Sequence, residues 1–426
     1  MSRPEPIPFD DALSRLLGRV TPVAGIREVS TLEAAQRVLA EAVVSPLAVP
    51  AWDNSQMDGY AVRCSELEAM KTDAQAMLRV AQRIPAGSQG EPLEAGTVAR
   101  IFTGAAIPSG ADAVVMQEQA TVIGDGARVR FSHVPVPGEW IRREGEDIQA
   151  GATILQKGTR LTPQATGLAA SVGAATLKVF RPVRVACFFT GDELAMPGEP
   201  LKTGAIYNSN RFLLTGLLRR LGCEVTDIGI VGDSLQATRA ALRQAAAGAD
   251  LIVTSGGMSV GEEDHVKPAV QAEGELDMWQ VAIKPGKPLA YGRVRRPADL
   301  AGPAGGADGS SDFAHFIGLP GNPVSSFVTF LLFVRPFILG LQGVARLAPT
   351  RLRIAAGFDW PRADRRREFL RVTVNEQTGL LELFRNQGSA VLTSTVDGDG
   401  LVDNPGGQQI RRGDVVTYLP FSELLN

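Results

Sequence analysis

Hydrophobic runs and amphipathic stretches alternate between residues 181 and 340. The apolar run Val185–Thr190 ends at a glycine, and a stretch with one leucine-rich face follows it. Glu224–Val231 is a second strand-like run, residues 234–247 are a second amphipathic stretch, and Asp250–Thr254 is a third strand-like run. Because strands that alternate with helices at this spacing pair in parallel, the pattern predicts an α/β domain with a doubly wound parallel sheet.

The remainder of the chain predicts an α/β multidomain protein. Residues 1–50 predict helices, one of which begins at a capping box formed by Ser30 and Glu33. Short β-rich pieces separated by Gly, Pro and Asp fill the next hundred residues, and short strands return after residue 350. The predicted units are a helical or mixed domain (1–50 and 146–180), an inserted β-rich domain (51–145), the doubly wound domain (181–340) and a C-terminal β domain (341–426).

Composition excludes several classes of protein. The formal net charge of -3 gives no electrostatic basis for binding nucleic acid or an anionic membrane. The most hydrophobic stretch, Phe327–Leu341, is interrupted by an arginine and a proline and predicts a buried helix rather than a membrane span. The first residues lack the pattern of a signal peptide. Three cysteines far apart predict neither disulfides nor a zinc site, so we expect a cytoplasmic protein.

Polar residues that could carry chemistry follow four strand ends of the predicted sheet. They are Asp192 and Glu193, then Asp233, then the Ser255-Gly256-Gly257 turn with Glu262, Glu263 and Asp264 after it, and finally the Lys284-Pro285-Gly286-Lys287 segment. Ligands bind an open parallel sheet outside the carboxyl ends of its strands. Glycines let backbone N–H groups approach phosphate oxygens, whereas carboxylates face a phosphate favourably only with a cation such as Mg²⁺ between them. The pattern predicts magnesium-assisted binding or cleavage of a phosphoanhydride, with the lysines neutralising the remaining charge.

Two polar clusters lie outside this sheet, at Asp53–Tyr60 and Arg142–Asp147. The first cluster is equally typical of a tight turn before a strand. The arginines of the second cluster either belong to a solvated charged face or hold an oxyanion, and their spacing leaves both interpretations open. The three histidines have no metal-ligand spacing and no nucleophile elbow accompanies them, which disfavours hydrolysis by a catalytic triad.

Long segments of the chain resemble the molybdopterin molybdenumtransferase family, which includes the C-terminal domain of gephyrin. The resemblance spans most of the chain from residue 50 to residue 327. The segments are PAWDNSQMDGYAVR (50–63), RIFTGAAIPSGADAVVMQE (100–118), IRREGEDIQAG (141–151), FFTGDEL (188–194), GAIYNSN (204–210), TSGGMSVGEEDHVK (254–267), IKPGKPLAYGR (283–293) and IGLPGNPVSSF (317–327).

The resemblance implies an elongated homodimer of four-domain subunits, in which the helical or mixed domain serves dimerisation and the doubly wound domain binds molybdopterin. Its cleft would be shared between the doubly wound domain of one subunit and the inserted domain of the other. The implied reaction is Mg²⁺-dependent cleavage of adenylylated molybdopterin, which releases AMP as molybdate enters the dithiolene. Molybdopterin adenylyltransferase and acceptor molybdoenzymes would be its partners.

The resemblance also implies roles for particular residues. On the doubly wound domain, the metal and phosphate would be held by Glu193, Asp233 and Asp264, the phosphate or pterin would be cradled by Ser255, Gly256 and Gly257, and cationic support, including support for molybdate, would come from Lys284 and Lys287. From the partner subunit, the cleft would be closed by Asp58, Thr103, Arg142 and Asp147.

Two alternatives to the transferase function remain at this point. A molybdopterin adenylyltransferase shares the fold of the 181–340 region but consumes ATP, and the segments around MDGYAV and GED favour the transferase. A non-catalytic molybdopterin-binding scaffold would keep the cleft without turnover, and the complete set of carboxylates disfavours it. Two segments depart from the family: Arg296–Asp312 is expected to be longer and less ordered than the family's usual connection, and Thr393–Asp403 matches the family's turn only loosely.

Overall fold

The computed structural model describes residues 6–73, 75–257, 265–297 and 312–425. Up to residue 180 the chain forms short helices and strands. They are α1 (Phe9–Leu17), β1 (Ile26–Ser30), β2 (Val43–Val44), β3 (Asn54–Ser55), β4 (Gly59–Val62), α2 (Cys64–Met70), β5 (Leu78–Ile84), β6 (Thr97–Ile101), β7 (Ala113–Met116), β8 (Ala120–Ile123), β9 (Arg128–Phe131), β10 (Ile141–Arg142), β11 (Thr153–Leu155), α3 (Pro163–Ser171) and β12 (Thr176–Phe180).

The first fifty residues return to pair with residues 153–180. Strand β1 pairs antiparallel with β12, and β2 pairs antiparallel with β11. The predicted helix after Ser30 is wrong, because only Thr31–Glu33 form a single 3₁₀ turn, which Ser30 Oγ caps by accepting from Leu32 N. Gln36 then adopts a positive φ of 67° and donates its N–H to Leu161 O, so the following residues bond to the returning chain instead of continuing a helix.

The inserted region folds into a six-stranded sheet of order β7-β4-β6-β5-β9-β8. Its short strands agree with the β-rich texture that the sequence predicts for this region. Strands β3 and β10 form a separate antiparallel pair beside it, which places Arg142 opposite Asn54.

The next region contains the doubly wound sheet. Its elements are β13 (Arg184–Thr190), β14 (Leu194–Ala195), β15 (Ile206–Tyr207), α4 (Ser209–Arg220), β16 (Glu224–Val231), α5 (Leu235–Gly248), β17 (Leu251–Ser255), α6 (Val266–Glu273), β18 (Gly274–Gln280), β19 (Ile283–Lys284), β20 (Pro288–Arg295), β21 (Phe313–Leu319), α7 (Pro323–Thr329) and α8 (Arg335–Leu341). The sheet order is β16-β13-β17-β21-β20-β18. The first four strands in that order are parallel, as predicted, whereas β20 and β18 are antiparallel additions at one edge.

Helices cover both faces of this sheet. Along β13, Val185, Cys187 and Phe189 pack into one core with α4, α7 and α8, while Ala186 and Phe188 pack into a second core with α5 and α6. Successive side chains of a strand point to opposite faces, so a continuous apolar run is what a sheet covered on both sides requires.

A single buried helical stretch runs from Pro323 to Leu341 and is the one described helix long and apolar enough to cross a membrane by length and composition. All of its tested window is buried inside the protein, which confirms the prediction of a buried helix. Five residues at its centre, Phe330–Val334, widen into a π-helical segment before Arg335 and Pro336.

The C-terminal region forms a third six-stranded sheet from β19, β22 (Leu352–Ala355), β23 (Arg367–Val374), β24 (Leu381–Leu383), β25 (Gly400–Asn404) and β26 (Val415–Pro420), with α9 (Thr393–Val396) and α10 (Phe421–Leu424) beside it. The order is β19-β23-β25-β26-β22, and β24 pairs with β23. Strand β19 comes from the chain between β18 and β20, so the doubly wound region contributes one strand to the C-terminal sheet.

A buried carboxylate joins the first region to the doubly wound sheet. Asp250, just before β17, accepts hydrogen bonds from Arg181 Nη1 at 2.7 Å, from Arg181 Nη2 at 2.8 Å and from Arg184 N at 2.8 Å. Burial opposes the ionised form of Asp250, but the hydrogen bonds from Arg181 and Arg184 outweigh it and lower the pKa of this carboxyl below its usual value.

We expect Asp250→Asn to lower the free energy of unfolding at pH 7 by about 3 kcal/mol, because it leaves the half-buried charge of Arg181 uncompensated. The folded pKa of Asp250 is depressed, so the stabilisation is complete above about pH 4 and is lost as the pH falls through the folded pKa. Urea unfolding of both proteins at pH 7 and pH 3 tests this, and the difference should shrink at pH 3. Glu275→Gln, which removes an exposed partner of Arg293, is the control and should cost about 0–1 kcal/mol. An equal loss of unfolding free energy at pH 7 and pH 3 would contradict a stabilising role for the ionised form of Asp250.

Candidate active site

Two loops at the carboxyl ends of neighbouring parallel strands are tied together by their aspartates. Asp192 N donates to Asp233 Oδ2, and Asp233 N donates to Asp192 Oδ1, each at 3.2 Å. Glu193 is exposed in the same loop, and its carboxylate folds against Gly191, where a Cβ atom would lie 2.4 Å from Glu193 Oε2. The loops that carry Glu193 and Asp233 are therefore neighbours at one edge of the sheet, as predicted. Asp264 lies outside the described residues.

The turn after β17 has room for backbone alone. Gly256 and Gly257 have positive φ angles of 99° and 62°. A Cβ atom on Gly256 would lie 2.4 Å from Thr190 O, and one on Gly257 would lie 2.9 Å from Thr190 Oγ1. A side chain is thus excluded both by backbone conformation and by the close approach of β13. This is the geometry of a loop that offers its backbone to a ligand.

Ser255, the last residue of β17, is buried and its hydroxyl is used within the protein. Ser255 Oγ donates to Pro320 O at 2.8 Å and accepts from Asn210 Nδ2 at 2.8 Å. Asn210 Nδ2 also donates to Gly321 O at 2.7 Å. This network joins the glycine turn to the starts of α4 and α7, so Ser255 holds the turn in place. The role of Ser255 in cradling a ligand stays a prediction.

Several buried polar atoms around this network have no hydrogen-bond partner among the residues that the structure describes. They are Thr190 Oγ1, Asn208 Nδ2, Asn210 Oδ1 and Thr329 Oγ1. A buried polar group without a partner costs free energy, and native proteins satisfy nearly all such groups with protein, water or ligand. The set of unsatisfied atoms is what a polar ligand would satisfy at this edge of the sheet.

The carboxylates here suit a metal that arrives with its substrate. Within the described part of the chain, no group of three or more His, Cys, Asp or Glu side chains is placed to hold a metal ion. Mg²⁺ is usually bound by one or two carboxylates together with substrate phosphate oxygens and water. Asp192, Glu193 and Asp233 provide carboxylates of this kind, so the residues present fit Mg²⁺.

The prediction that Lys284 follows a strand of the doubly wound sheet is wrong. Lys284 lies on β19, which pairs with β23 of the C-terminal sheet. Its Nζ donates to the buried Glu368 at 3.0 Å and lies 3.7 Å from Asp364 Oδ2. Strand-like composition at Ile283 could not reveal which sheet the residue joins. The chain then returns through Gly286, where a Cβ atom would lie 2.4 Å from Thr329 Oγ1, to the exposed Lys287.

The C-terminal region also reaches the start of α7. Val324 N donates to Ser389 O at 3.0 Å, so a C-terminal loop satisfies a backbone donor in the first turn of that helix. The same loop contributes Gly388 O, which accepts from the fully buried Arg371 at 3.2 Å. The C-terminal sheet is therefore in direct contact with one wall of the site.

The two polar clusters predicted outside the sheet, Asp53–Tyr60 and Arg142–Asp147, come together around β3, β10 and the loop after β6. Asp58 Oδ1 accepts from Thr103 N at 2.8 Å and from Thr103 Oγ1 at 2.9 Å. These two hydrogen bonds lower the pKa of Asp58, which keeps the carboxylate ionised. Gly104 N donates to Ser55 O, and Ser55 pairs with Ile141, so Arg142 follows on the adjacent strand.

The charged residues of this cluster divide into paired and unpaired groups. Arg143 Nη1 pairs with Asp53 Oδ2 at 2.6 Å, and Glu144 N donates to Asp53 Oδ1 at 2.8 Å. Arg142 is exposed and forms no ion pair within the described ranges. Asp147 is exposed too, while its N–H donates to Val49 O. Of the two adjacent arginines, Arg142 is the one left available to an anion.

The three cysteines add no nucleophile to the site. All are buried free thiols, and burial raises the pKa of Cys187 to about 11 and that of Cys223 to about 12. Burial and the nearby Asp112 raise the pKa of Cys64 to about 12. Thiols with such pKa values are uncharged and unreactive at neutral pH.

Comparison with known families divides the chain into three matches. The MoeA N-terminal region (domain I and II) matches residues 7–173, the probable molybdopterin binding domain matches residues 186–340, and the MoeA C-terminal region (domain IV) matches residues 353–421. The chain is 39% identical over 425 residues to the molybdopterin molybdenumtransferase of Haemophilus influenzae, covering 98% of this chain and 99% of that protein. The chain belongs to the molybdopterin molybdenumtransferase family.

Other relatives agree with this membership. The molybdopterin molybdenumtransferase 2 of Mycobacterium tuberculosis is 38% identical over 379 residues, which cover 86% of this chain and 88% of that protein. The crystal structure of the molybdopterin biosynthesis moeA protein from Pyrococcus horikoshii OT3 aligns with a TM-score of 0.80 at 26% identity, covering 98% of this chain and all of that one. The predicted α/β multidomain fold is confirmed.

Sequence reasoning missed the polar residues that complete the site. Asn208 and Asn210 begin α4, Ser326 and Thr329 lie on α7, and Thr190 ends β13. Each of them lies at a strand end or in the first two turns of a helix within the doubly wound region, which is where ligands of such a sheet bind. That position was the available signal, but neutral side chains form no charge pattern from which a site could be predicted.

We expect Gly256→Ala to destabilise the protein by about 2 kcal/mol or more, because the new Cβ would meet Thr190 O in a backbone conformation that alanine rarely adopts. Gly232→Ala in the adjacent loop is the matched control. A Cβ there meets no atom within 4 Å, and the cost should stay within about 0.5 kcal/mol. Thermal unfolding of the two variants measures the difference. Equal melting temperatures would show that the turn can rearrange.

Proposed function

We propose that this chain is a molybdopterin molybdenumtransferase that cleaves adenylylated molybdopterin and inserts molybdate, giving molybdenum cofactor and AMP. Relatives with this name align along nearly its whole length. The observation that carries the proposal is the side-chain-free turn at Gly256 and Gly257, which lies beside two neighbouring carboxylate loops at the carboxyl ends of parallel strands. Such a backbone cradle suits a phosphate group.

The proposed roles follow the geometry. Gly256 and Gly257 present backbone to the substrate phosphate, and Ser255 and Asn210 hold that turn against the start of α7. Asn210 Oδ1 and Thr329 Oγ1, both buried, remain as polar atoms for the pterin or its phosphate. The two loops braced by Asp192 and Asp233 fix the position of the carboxylates before substrate arrives, which reduces the entropy lost on binding.

Mg²⁺ is the cofactor of this proposal. When bound, it would neutralise phosphate oxygens of the phosphoanhydride and thereby favour departure of AMP. Glu193 and Asp233 would hold it, and the family resemblance adds Asp264. Asp192 is a further candidate ligand, because it makes reciprocal hydrogen bonds with Asp233. The sequence alone did not single it out as a ligand.

The two lysines take different roles. Lys284 is a positioning residue, since its ammonium is held by Glu368 and Trp360 Nε1 holds the other oxygen of that carboxylate at 2.7 Å. Lys287 is exposed and would supply a positive charge suited to molybdate or phosphate. The lysine pair therefore links the C-terminal sheet to the site and supports the anion from one side.

The homodimer belongs to the same proposal. Large apolar side chains are exposed on the first region, with Ile26 at 56%, Leu32 at 92% and Val44 at 52% exposure. Apolar surface of this kind is typical of a face covered by another subunit. The partner subunit would then contribute Asp58, Thr103, Arg142 and Asp147 to the cleft.

The matches outside the molybdopterin-binding region support the transferase over an adenylyltransferase, because residues 7–173 and 353–421 both match MoeA families. A molybdopterin adenylyltransferase would supply the substrate, and molybdoenzymes in the cytoplasm would accept the product. A scaffold without turnover is the remaining alternative, and the measurement of AMP release distinguishes it.

We expect purified protein to release AMP from adenylylated molybdopterin when both Mg²⁺ and molybdate are present, and removal of Mg²⁺ to abolish release. Asp233→Asn should lower the rate by about 100-fold or more, because it removes a charge that holds the metal at the phosphate. Asp277→Asn, an exposed residue on edge strand β18, removes the same charge from the same sheet and should leave the rate unchanged.

Three results would contradict this scheme. Release that continues with a chelator present would remove Mg²⁺ from the proposal. Tight molybdopterin binding without release would support the scaffold. Formation of the adenylate from ATP and molybdopterin would establish the adenylyltransferase.

A shared cleft predicts complementation between two inactive subunits. Asp58→Ala and Glu193→Ala proteins should each have low activity, because each loses one half of every site. Heterodimers of the two would contain one site with both residues intact, so about half of the normal activity per dimer is expected. Differently tagged subunits purified by two affinity steps provide the sample. Verified heterodimers without recovered activity would place Asp58 and Glu193 in a site within one subunit, or outside the reaction.

A further inference from the structure

A cavity of about 330 Å³ lies between the loop that follows β11 and the end of α8. The two walls are in direct contact, because Ala345 N donates to Gly158 O at 3.1 Å. A Cβ atom on Gly158 would lie 2.9 Å from Gly343 O, which shows how closely the walls approach. The volume is that of a small ligand pocket.

Basic side chains dominate the lining of this cavity. Lys157, Arg160, Arg335 and Arg346 all contribute to it, and none of the lining residues is acidic. Lys157, Arg160 and Arg346 form no ion pair among the residues that the structure describes. Arg335 has partners outside the lining, among them Glu423, whose carboxylate acts on it electrostatically. The cavity therefore carries an excess of positive charge.

Two of the cations are held away from bulk water. Arg160 is half-buried, and its hydrogen bond to Arg220 O is long, at 3.5 Å. Arg335 is buried and donates from Nη2 to Glu423 O at 3.0 Å. Burial lowers the pKa of both guanidinium groups, and the nearby charge of Arg160 lowers the pKa of Arg335 further. Guanidinium groups brought together and desolvated in this way gain most from an anion placed between them.

We infer that this cavity binds a phosphate-type oxyanion, either as a free ion or as the terminal group of a phosphomonoester. Arg160 and Arg335 form its floor, and the exposed Lys157 and Arg346 close over the anion from the rim. The C-terminal end of α8 lies on the same wall and disfavours an anion, but the helix-end effect is confined to the last turn and is smaller than that of several cations.

This cavity is separate from the proposed active site. The glycine turn contacts the start of α7, whereas the cavity lies against Leu339 near the end of the same continuous helical stretch. From residue 322 to residue 339 the helix rises by roughly 25 Å at 1.5 Å per residue. An anion in the cavity therefore contacts neither the carboxylate loops nor the glycine turn.

Isothermal titration of the full chain with inorganic phosphate tests the inference. The double variant Lys157→Gln/Arg346→Gln changes two exposed side chains and should fold normally. We expect wild-type protein to bind phosphate saturably and the double variant to bind at least about tenfold more weakly, because each exposed cation contributes a charge-assisted contact. Arg160→Gln should weaken binding in the same direction.

The matched control is Lys71→Gln/Arg79→Gln, which removes two exposed charges from the inserted region, where they pair with Glu68 and Glu94. It should bind phosphate as wild type does. Absence of saturable binding, or binding that the cavity variants leave unchanged, would overturn the inference.

The source of the anion is tested with AMP in the same titration. Tighter binding of AMP than of phosphate, lost in the double variant, would support a phosphomonoester as the ligand. Binding of phosphate with exclusion of AMP would support the free oxyanion. An AMP signal unaffected by the cavity variants and removed by Asp233→Asn would instead place that nucleotide in the active site, and the phosphate titration alone would then decide the inference.

Discussion

The buried helical stretch from Val324 to Leu341 is the constraint on which the arrangement of the whole chain depends. Every residue of it is buried, so it must be covered on all sides by other parts of the protein. Phe333 contacts Phe9 of α1 at a ring distance of 5.3 Å, and Phe327 contacts Phe421 of α10 at 5.3 Å. Phe9 in turn lies 5.4 Å from Phe369 on β23. One helix thus fixes the N-terminal helix, the doubly wound sheet and the C-terminal sheet against each other.

This packing explains why the site includes parts of the C-terminal sheet. The start of α7 must lie beside the glycine turn because Asn210 bridges Ser255 and Gly321. The C-terminal loop, whose Ser389 O accepts a hydrogen bond from Val324 N of α7, is then brought to the same place. Lys284 is held in a similar way by the buried Glu368. The C-terminal sheet therefore forms part of the wall of the site.

Sequence periodicity was sufficient for the doubly wound region because its strands are buried on both faces and its helices are amphipathic. It also placed Glu193, Asp233 and the glycines at one edge of the sheet, since the carboxyl ends of parallel strands meet there whatever the detailed packing. It failed after Ser30, where the sequence predicts a helix but only a three-residue turn forms. The residues that follow bond to residues 159–161 instead of continuing the helix. It failed again for Lys284, because the two-residue strand Ile283–Lys284 has no periodicity from which to choose a sheet. Both errors concern partners distant in sequence, which a local pattern does not encode.

The two ends of the doubly wound sheet differ in their charged residues, and the difference bears on how substrate and metal would bind under the proposed function. Arg181 and Arg184 surround Asp250 at the amino end, whereas Asp192, Glu193 and Asp233 lie at the carboxyl end. A phosphoanhydride approaching the carboxylates alone would be repelled, and Mg²⁺ alone would find few fixed ligands there. Under the proposed function each therefore raises the affinity for the other, and linkage requires the two effects to be equal. The glycine turn adds affinity for phosphate without adding positive side chains that would compete with the metal for the same carboxylates. A cradle made of backbone is thus the arrangement that lets three acids and a phosphate occupy one edge of a sheet.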